Sequence, residues 1–498
     1  MQRRKRMGKS ALILAGILML GMAMSPVFAQ SGKKGKTASS ASKVIGLKSG
    51  RDGDQVIRTA VPERPSGQKH VLGLRAPKLD TVRVGFIGLG MRGPGAVERF
   101  THIPGVKIAA LCDKHGDRVE KSQKILDKAG LPAAASYSGS EEAWKELCRR
   151  SDIDLVYIAT DWKHHAEMMI YAMEQGKHVV CEVPAAMTLE EIWKVVDTAE
   201  RTQKHCMMLE NCVYDFFELT TLNMARQGLF GEILHVEGGY LHNLEDFWDY
   251  YEGDWRMQYN KTHRGDVYPT HGFGPACQLL DIHRGDRLDV LVSMDTKPAN
   301  IPEYLIEKRG MDREEAYDFR NGEHTMTMVR TAKGKTMLIR HDVSSPRPYS
   351  REYEVTGTKG FAQKYPQEGY AFRSDSPVEE GVMPDHENLS GHGFVSEAAK
   401  KALMDTYKHP IHKELEEQAK QVGGHGGMDF IMDYRLVYCL RNGLPLDMDV
   451  YDLAEWCCLV PLSEISLDNG SAPVAVPDFT RGHWTDVQGY RHAFVTKL

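Results

Sequence analysis

No apolar run in this chain is long enough to span a bilayer. The longest uncharged apolar stretch, residues 11–24, has fourteen residues, short of the ~20 that a spanning helix needs. There is no basic excess either. The formal charge is −5 over 498 residues, which argues against a nucleic-acid surface. The nine cysteines, at 112, 148, 181, 206, 212, 277, 439, 457 and 458, show no metal-ligand spacing and are odd in number. They read as buried thiols rather than a disulfide framework, with Cys457-Cys458 as two core positions. No metal site and no internal repeat is expected.

What is present begins with an N-terminal targeting pattern. Arg3, Arg4, Lys5, Arg6 and Lys9 precede the apolar stretch, and Pro26-Val-Phe-Ala29 follows it. Residues 1–29 are therefore expected to be a signal peptide, with export to the periplasm and no stable membrane anchor. Residues 30–79, rich in Ser, Gly, Lys and Arg, are expected to form a flexible leader. The remainder is 42% hydrophobic and 26% charged in overall composition, enough to bury a substantial core.

The organising stretch is Val82–Ile87 followed by Gly88-Leu-Gly-Met-Arg-Gly93. A short β-branched strand, glycines at G-x-G-x-x-G spacing and a helix start together make a dinucleotide site. Gly88 allows the tight turn, Gly90 lets backbone approach the pyrophosphate, and Gly93 lets helix pack on strand. A second strand, Val106–Cys112, ends in Asp113, where a ribose-binding acid belongs. Its charge would repel a 2′-phosphate, so the expected cofactor is NAD rather than NADP.

Strand and helix patterns then alternate: helix 117–129, strand 154–160, helix 164–175, strand 177–182, a helix opened by the capping box Thr188-Leu-Glu-Glu191, and strand 205–209. This predicts an α/β fold, a doubly wound parallel sheet over residues 80–213. Ligands of such sheets lie beyond the carboxyl ends of the strands. The chemistry is thus expected at Asp113, at 160–165, at 182–184 and at 210–214. Residues 214–498 predict an α+β domain with a mainly antiparallel sheet. Its expected strands include 232–241, 325–330, 336–341 and 351–355, and its helices 216–227, 270–282, 428–441 and 450–467. Residues 248–264 read as an aromatic, charged loop and 363–389 as an irregular insertion.

A nicotinamide enzyme acting on an alcohol needs a base for the hydroxyl proton. Tyr268-Pro-Thr-His271 offers a phenol and an imidazole near a helix start; alone, the histidine could equally make a structural bond. Tyr214, after the strand at 205–209, could reach the cofactor or simply pack.

These residues carry a resemblance. The first domain, with Glu182-Val183-Pro184 after its fourth expected strand, resembles the Gfo/Idh/MocA oxidoreductases. The dehydrogenases of that group have a catalytic lysine where this chain has Val183. The longer pattern resembles the NAD-dependent glycosidases of glycoside hydrolase family 109, typified by α-N-acetylgalactosaminidase. It includes Trp162-Lys-His-His165, Glu182-Val-Pro-Ala-Ala186, Leu209-Glu-Asn-Cys-Val-Tyr214, Gly239-Tyr240, Trp255-Arg256, Gly265-Asp-Val-Tyr-Pro-Thr-His-Gly272, Arg347-Pro-Tyr349 and Gly424-His-Gly-Gly-Met-Asp429. The resemblance covers roughly residues 70 to 490.

It implies NAD contacts at Gly88, Gly90, Met91, Arg92, Gly93, Asp113, Trp162, His165, Glu182, Val183, Asn211 and Tyr268. It implies sugar contacts at Tyr240, Arg256, Tyr268, Pro269, Thr270, His271 and Tyr349. The implied reaction oxidises the sugar at carbon 3, eliminates the aglycone from carbon 1, adds water and returns the hydride, so no NAD is consumed. Such hydrolases are exceptions to the two-carboxylate rule. His271 is assigned to the carbon 3 hydroxyl, Tyr214 to the carbon 2 proton and Glu182 to the leaving group, with Tyr268 beside them. The implied substrate is a terminal α-N-acetylgalactosaminide or a related glycoside, and a homo-oligomer is compatible with the sequence. The alternatives are a periplasmic sugar oxidoreductase and a sugar-binding protein that kept NAD as structure.

Overall fold

Val82–Ile87 is apolar except at Arg83, and its core positions are closed to solvent. A strand of that kind needs cover on both faces, which helices flanking a parallel sheet provide. The computed structural model places it inside a six-stranded parallel sheet. The structure describes residues 44–49 and 55–494, apart from 385, 386 and 388. The expected signal peptide and the first part of the expected leader lie outside the described residues.

The parallel strands run in the spatial order Ala135–Tyr137, Val106–Cys112, Val82–Ile87, Leu155–Ile158, His178–Cys181, Cys206–Met208. The chain steps outward for three strands, then crosses to the other side of the first. A crevice therefore opens at the carboxyl ends of Val82–Ile87 and Leu155–Ile158. Ala135–Tyr137, at three residues, is too short for a periodic signal, and it makes His178–Cys181 the fifth strand rather than the fourth. Thr188 and Glu191 close both halves of the expected capping box.

The second sheet has ten strands and is mostly antiparallel. Parallel pairing occurs where Thr336–Asp342 meets Ile233–Leu241 and where Val474–Ala475 meets Gln55–Thr59. Thr325–Thr331 alternates buried and exposed positions throughout, so one face of the sheet covers the core and the other meets solvent. The helix Val450–Asp468 is buried nearly all round. It packs on the helix Leu189–Thr202, on Cys206–Met208 and on the strand Leu288–Asp295, and so joins the two sheets.

Three expectations are corrected. Residues 55–79 are not a flexible leader. Gln55–Thr59 joins the ten-stranded sheet between Val44–Ser49 and Val474–Ala475, with the Ile57 amide donating to Pro473 O at 2.8 Å. Arg64 donates to the buried Glu200 at 2.8 Å, and the Val71 amide to the Tyr451 hydroxyl at 3.1 Å. Their polar composition hides three long-range anchors. The start of the 363–389 stretch is also regular: Gly360–Gln363 and Gly369–Phe372 form an edge hairpin. Gly360 sits opposite Phe372, whose ring lies where a Cβ would be, 2.6 Å away, so alternation never shows in the sequence. Finally, 248–264 contains the helix Trp255–Thr262, and two further helices, Glu397–Thr406 and Pro410–Val422, precede Met428–Asn442.

All nine cysteines are buried free thiols, as read from the sequence. Among the described residues no helix is long and apolar enough to cross a membrane.

Candidate active site

The glycine turn is built for a close ligand. Gly88 has φ +89°, and a Cβ on it would lie 2.6 Å from the Ala159 backbone. A Cβ on Gly93 would lie 2.0 Å from Gly88 O, so both positions need glycine. Gly90 has only the Arg118 guanidinium within 4 Å, which leaves space for a phosphate. No side chain caps the helix Gly93–Thr101, so its first N–H groups are available to an anion. Asp113 is buried. Its carboxylate accepts from the Leu89 amide at 2.7 Å and from the His115 amide at 2.9 Å, fixing the turn from below. These features fit a dinucleotide.

A cavity of about 370 Å³ follows the strand ends from Asp113, Lys114 and Arg118 to Glu182, Arg256 and Tyr268. Gly88, Gly90, Met91, Arg92, Trp162, His165 and Val183 also line it. Trp162 donates from Nε1 to Val183 O at 3.2 Å. His165 has one ring nitrogen 2.8 Å from Pro184 O and the other 3.0 Å from Thr160 O. It therefore holds two strand-end loops together. Glu182 accepts from Arg92 Nε at 3.3 Å, and Arg92 Nη2 donates to Asp429 at 3.1 Å.

Behind Tyr268, which lines the cavity, His271 in the first turn of Thr270–Leu279 is held on both sides. Its Nδ1–H donates to Glu210 Oε1 at 2.7 Å, and the Tyr268 hydroxyl donates to its Nε2 at 3.2 Å. Hydrogens are assigned here by the carboxylate, which can only accept. Burial lowers the His271 pKa below the usual histidine value, against the opposing pull of the Glu210 charge. Burial works to raise the Glu210 pKa, yet it ends below the usual value because the imidazole and neighbouring donors hold its anion. The pair therefore rests as a carboxylate and a neutral imidazole, with Nε2 the basic atom.

The expected sugar side is aromatic. The Tyr240 ring lies 4.9 Å from Tyr268 and 5.3 Å from His271, and its hydroxyl pairs with His242 Nε2 at 2.7 Å. Arg256 stacks 4.6 Å from the Tyr268 ring and 5.2 Å from Trp162. Its Nη1 donates to the Tyr251 hydroxyl at 2.8 Å, while its buried Nη2 has no protein partner and is free for a ligand oxygen. Tyr349, 45% exposed, stands 5.0 Å from His242. Pro269 and Thr270 are buried at the helix start and shape its entry.

Two expected residues lie elsewhere. Tyr214, like His271 and Tyr240, is not among the residues lining the cavity, but it points to a different partner. The 3₁₀ turn Asn211–Tyr214 carries it into the interior, where its hydroxyl donates to Asp447 at 3.1 Å. Asp447 is itself held by Arg435 at 2.7 Å. Burial, then the Asp447 charge, push the phenol well above its ordinary pKa. This geometry lends no support to the expectation that Tyr214 takes the carbon 2 proton. Asn211 also serves the scaffold, donating to Asp429 and lying 3.4 Å from His425.

Four further residues belong to the site: Glu210, Asp429, His425 and Arg351, whose guanidinium meets Cys212 Sγ at 3.0 Å. The first three sit inside motifs quoted above, so position in the sequence marked them even where role did not.

The fold and this cleft define an NAD-binding Rossmann domain carrying a second, substrate-facing domain. Residues 82–210 match the model of an oxidoreductase family with an NAD-binding Rossmann fold, and residues 214–486 match the C-terminal domain of glycosyl hydrolase 109. A glycosyl hydrolase family 109 protein of Porphyromonas gingivalis is 68% identical over 456 residues, covering 92% of this chain and 97% of its own length. Family 109 protein 1 of Bacteroides thetaiotaomicron is 68% identical over 438 residues, covering 88% and 93%. Among solved structures, an NAD-binding oxidoreductase from Klebsiella pneumoniae superposes with TM-score 0.59 at 17% identity, covering 80% of this chain and all of its own. Levoglucosan dehydrogenase complexed with NADH gives 0.57 at 18%, with the same coverage. These last two show the fold. The chain belongs to glycosyl hydrolase family 109, and it is an enzyme with an NAD-binding domain.

Proposed function

We propose that the protein hydrolyses terminal α-N-acetylgalactosaminides, or closely related glycosides, by transient oxidation at carbon 3. The observation that carries this reading is the Glu210–His271–Tyr268 chain, which meets the cavity through Tyr268, together with Val183 in the lining in place of a lysine. When bound, NAD supplies a hydride acceptor that can return what it takes.

The protein groups supply proton transfer and positioning. His271 Nε2 receives the carbon 3 hydroxyl proton, directly or through the Tyr268 hydroxyl, and Glu210 stabilises the imidazolium that forms. Oxidation at carbon 3 makes the carbon 2 proton acidic. Once the imidazolium has released the carbon 3 proton to solvent in the cleft, the Tyr268–His271 pair is again a neutral base and takes the carbon 2 proton. Glu182, held by Arg92, faces the cavity and can serve the leaving oxygen. Arg256 Nη2 and the faces of Tyr240, Tyr268 and Tyr349 suit a sugar ring with a polar substituent.

Incubation with nitrophenyl α- and β-glycosides of N-acetylgalactosamine, galactose and N-acetylglucosamine tests the reading. Release of nitrophenol from the α-N-acetylgalactosaminide without added NAD is expected. Net NADH formation from free sugar, with no glycoside cleaved, would instead identify an oxidoreductase. Export to the periplasm is part of the proposal and rests on residues 1–29. N-terminal sequencing of protein from its native cell should begin near Gln30, and an intact Met1 would exclude cleavage.

A further inference from the structure

One segment of the second domain spans the whole cofactor cavity. Tyr251, Glu252, Trp255 and Arg256 all line it. Arg256 sits at the Tyr268 end. The Trp255 ring meets Trp162 at 4.8 Å on the Rossmann side. Glu252 reaches the opposite end, where Lys114, His115 and Arg118 flank the expected ribose-binding Asp113. Its Oε1 lies 3.2 Å from Lys114 Nζ and 3.0 Å from His115 Nε2, and its Oε2 accepts from Arg118 Nη2 at 2.8 Å. Arg118 Nη1 is in turn 3.6 Å from Asp113 Oδ1.

The backbone is shaped for this reach. Gly253 and Asp254 both take the left-handed conformation, with φ of +67° and +53°. The second is unusual for a residue other than glycine. Arg309 fixes Asp254 with an ion pair. The turn therefore costs conformational energy, and what it delivers is one carboxylate onto the adenosine end of the cleft. His115 first, then Lys114 and Arg118, hold that carboxyl low, at about 2, so it is charged throughout the neutral range.

We infer that Glu252 is a clasp between the domains. It pins residues 251–256 over the cleft and slows the escape of bound NAD. An enzyme that restores its cofactor in every cycle gains from never releasing it. The inference itself concerns only NAD retention and would survive a different sugar chemistry.

The side chains involved are 31–46% exposed, and each pair is individually weak in water. Three acting on one carboxylate predict a release rate raised ~3–10-fold on its loss. They also predict sensitivity to salt, since screening shortens from tens of ångströms to a few between about 0.01 M and 1 M.

The test uses full-length holoprotein diluted into an alcohol dehydrogenase and ethanol trap, which converts each released NAD to NADH read by absorbance. Wild type should release NAD slowly in low salt and faster in high salt. Glu252→Gln should release it at the faster rate in both, with thermal unfolding unchanged. Release from Glu252→Gln no faster than wild type in low salt would overturn the clasp. If that variant does not fold, wild-type release that is flat with salt overturns it equally.

Discussion

Glu210 Oε1 and His271 Nδ1 are 2.7 Å apart, joining the end of the sixth parallel strand to the first turn of a helix 61 residues later. The carboxylate fixes which ring nitrogen carries the proton and leaves Nε2 toward Tyr268. It also raises the imidazole pKa against the burial that lowers it. Glu210→Gln should reduce kcat by ~10²-fold or more while NAD stays bound, because a neutral amide cannot stabilise the imidazolium. The sign of the pH effect follows. The base works when deprotonated, so activity falls as pH drops through the His271 pKa. Removing the anion lowers that pKa further, and the acid limb of the kcat profile should move to lower pH. An unchanged kcat and an unmoved limb would show Glu210 to be mere packing.

The Rossmann half of this arrangement was legible because its signals are local. Apolar strands, a glycine turn and a capping box each lie within a few residues. Strand-end logic also pointed to 210–214, but it could not say which residue faces the ligand. Glu210 is fully buried and acts through His271, while four residues of 3₁₀ turn carry Tyr214 to Asp447. The strand and anchors of 55–79 were invisible for a related reason: Arg64 finds Glu200 at 136 residues' separation, and nothing in local composition encodes that partner. The 251–256 segment read as loop because its contacts to Lys114, Arg118 and Trp162 are made across the cleft, far away in sequence.

Tyr214→Phe now has a definite expectation. The phenol serves Asp447 and does not line the cavity. The substitution should cost ~1.5–3 kcal/mol of stability, the range for a hydrogen bond to a charged group. NAD content and proton exchange at sugar carbon 2 should be unaltered. Thermal unfolding together with mass spectrometry of the released sugar checks both. Loss of exchange with unchanged stability would return Tyr214 to the reaction.

Asp429 ties the helix Met428–Asn442 to the Rossmann domain. Arg92 Nη2 donates to it at 3.1 Å, Arg99 Nη1 lies 3.6 Å away, and His425 Nδ1 lies 3.0 Å away. Burial opposes ionisation here, yet the His425 hydrogen bond and the Arg92 charge, followed by His425 and Arg99, hold the carboxyl far below its usual range. A depressed folded-state pKa gives stability that is present above the unfolded value of ~3.9 and lost as pH falls below it. Asp429→Asn should therefore lower stability at pH 7 by on the order of 2–3 kcal/mol and flatten the fall in stability below about pH 4. Denaturant unfolding across that range measures it. A variant parallel to wild type at every pH would show that Asp429 contributes nothing through its charge.

The redox-elimination route makes a prediction that direct displacement cannot. Displacement at carbon 1 leaves the carbon 2 C–H bond intact, whereas elimination must break it. Hydrolysis in deuterated water should place deuterium at carbon 2 of the released sugar. His271→Ala should block the preceding oxidation, abolish transient NADH absorbance in rapid mixing, and cost ~10²–10⁴-fold in rate. Because His271 is buried with Glu210 and Tyr268, the base could return the same proton before exchanging it with solvent. A substrate deuterated at carbon 2 separates these cases, since a rate-limiting C–H cleavage gives a primary isotope effect even with a shielded base. Val183 sharpens the contrast, because a dehydrogenase-type lysine is missing from the position beside Glu182. Efficient hydrolysis with no exchange, no isotope effect and no NADH signal would refute the route and leave the dinucleotide a structural part of the cleft.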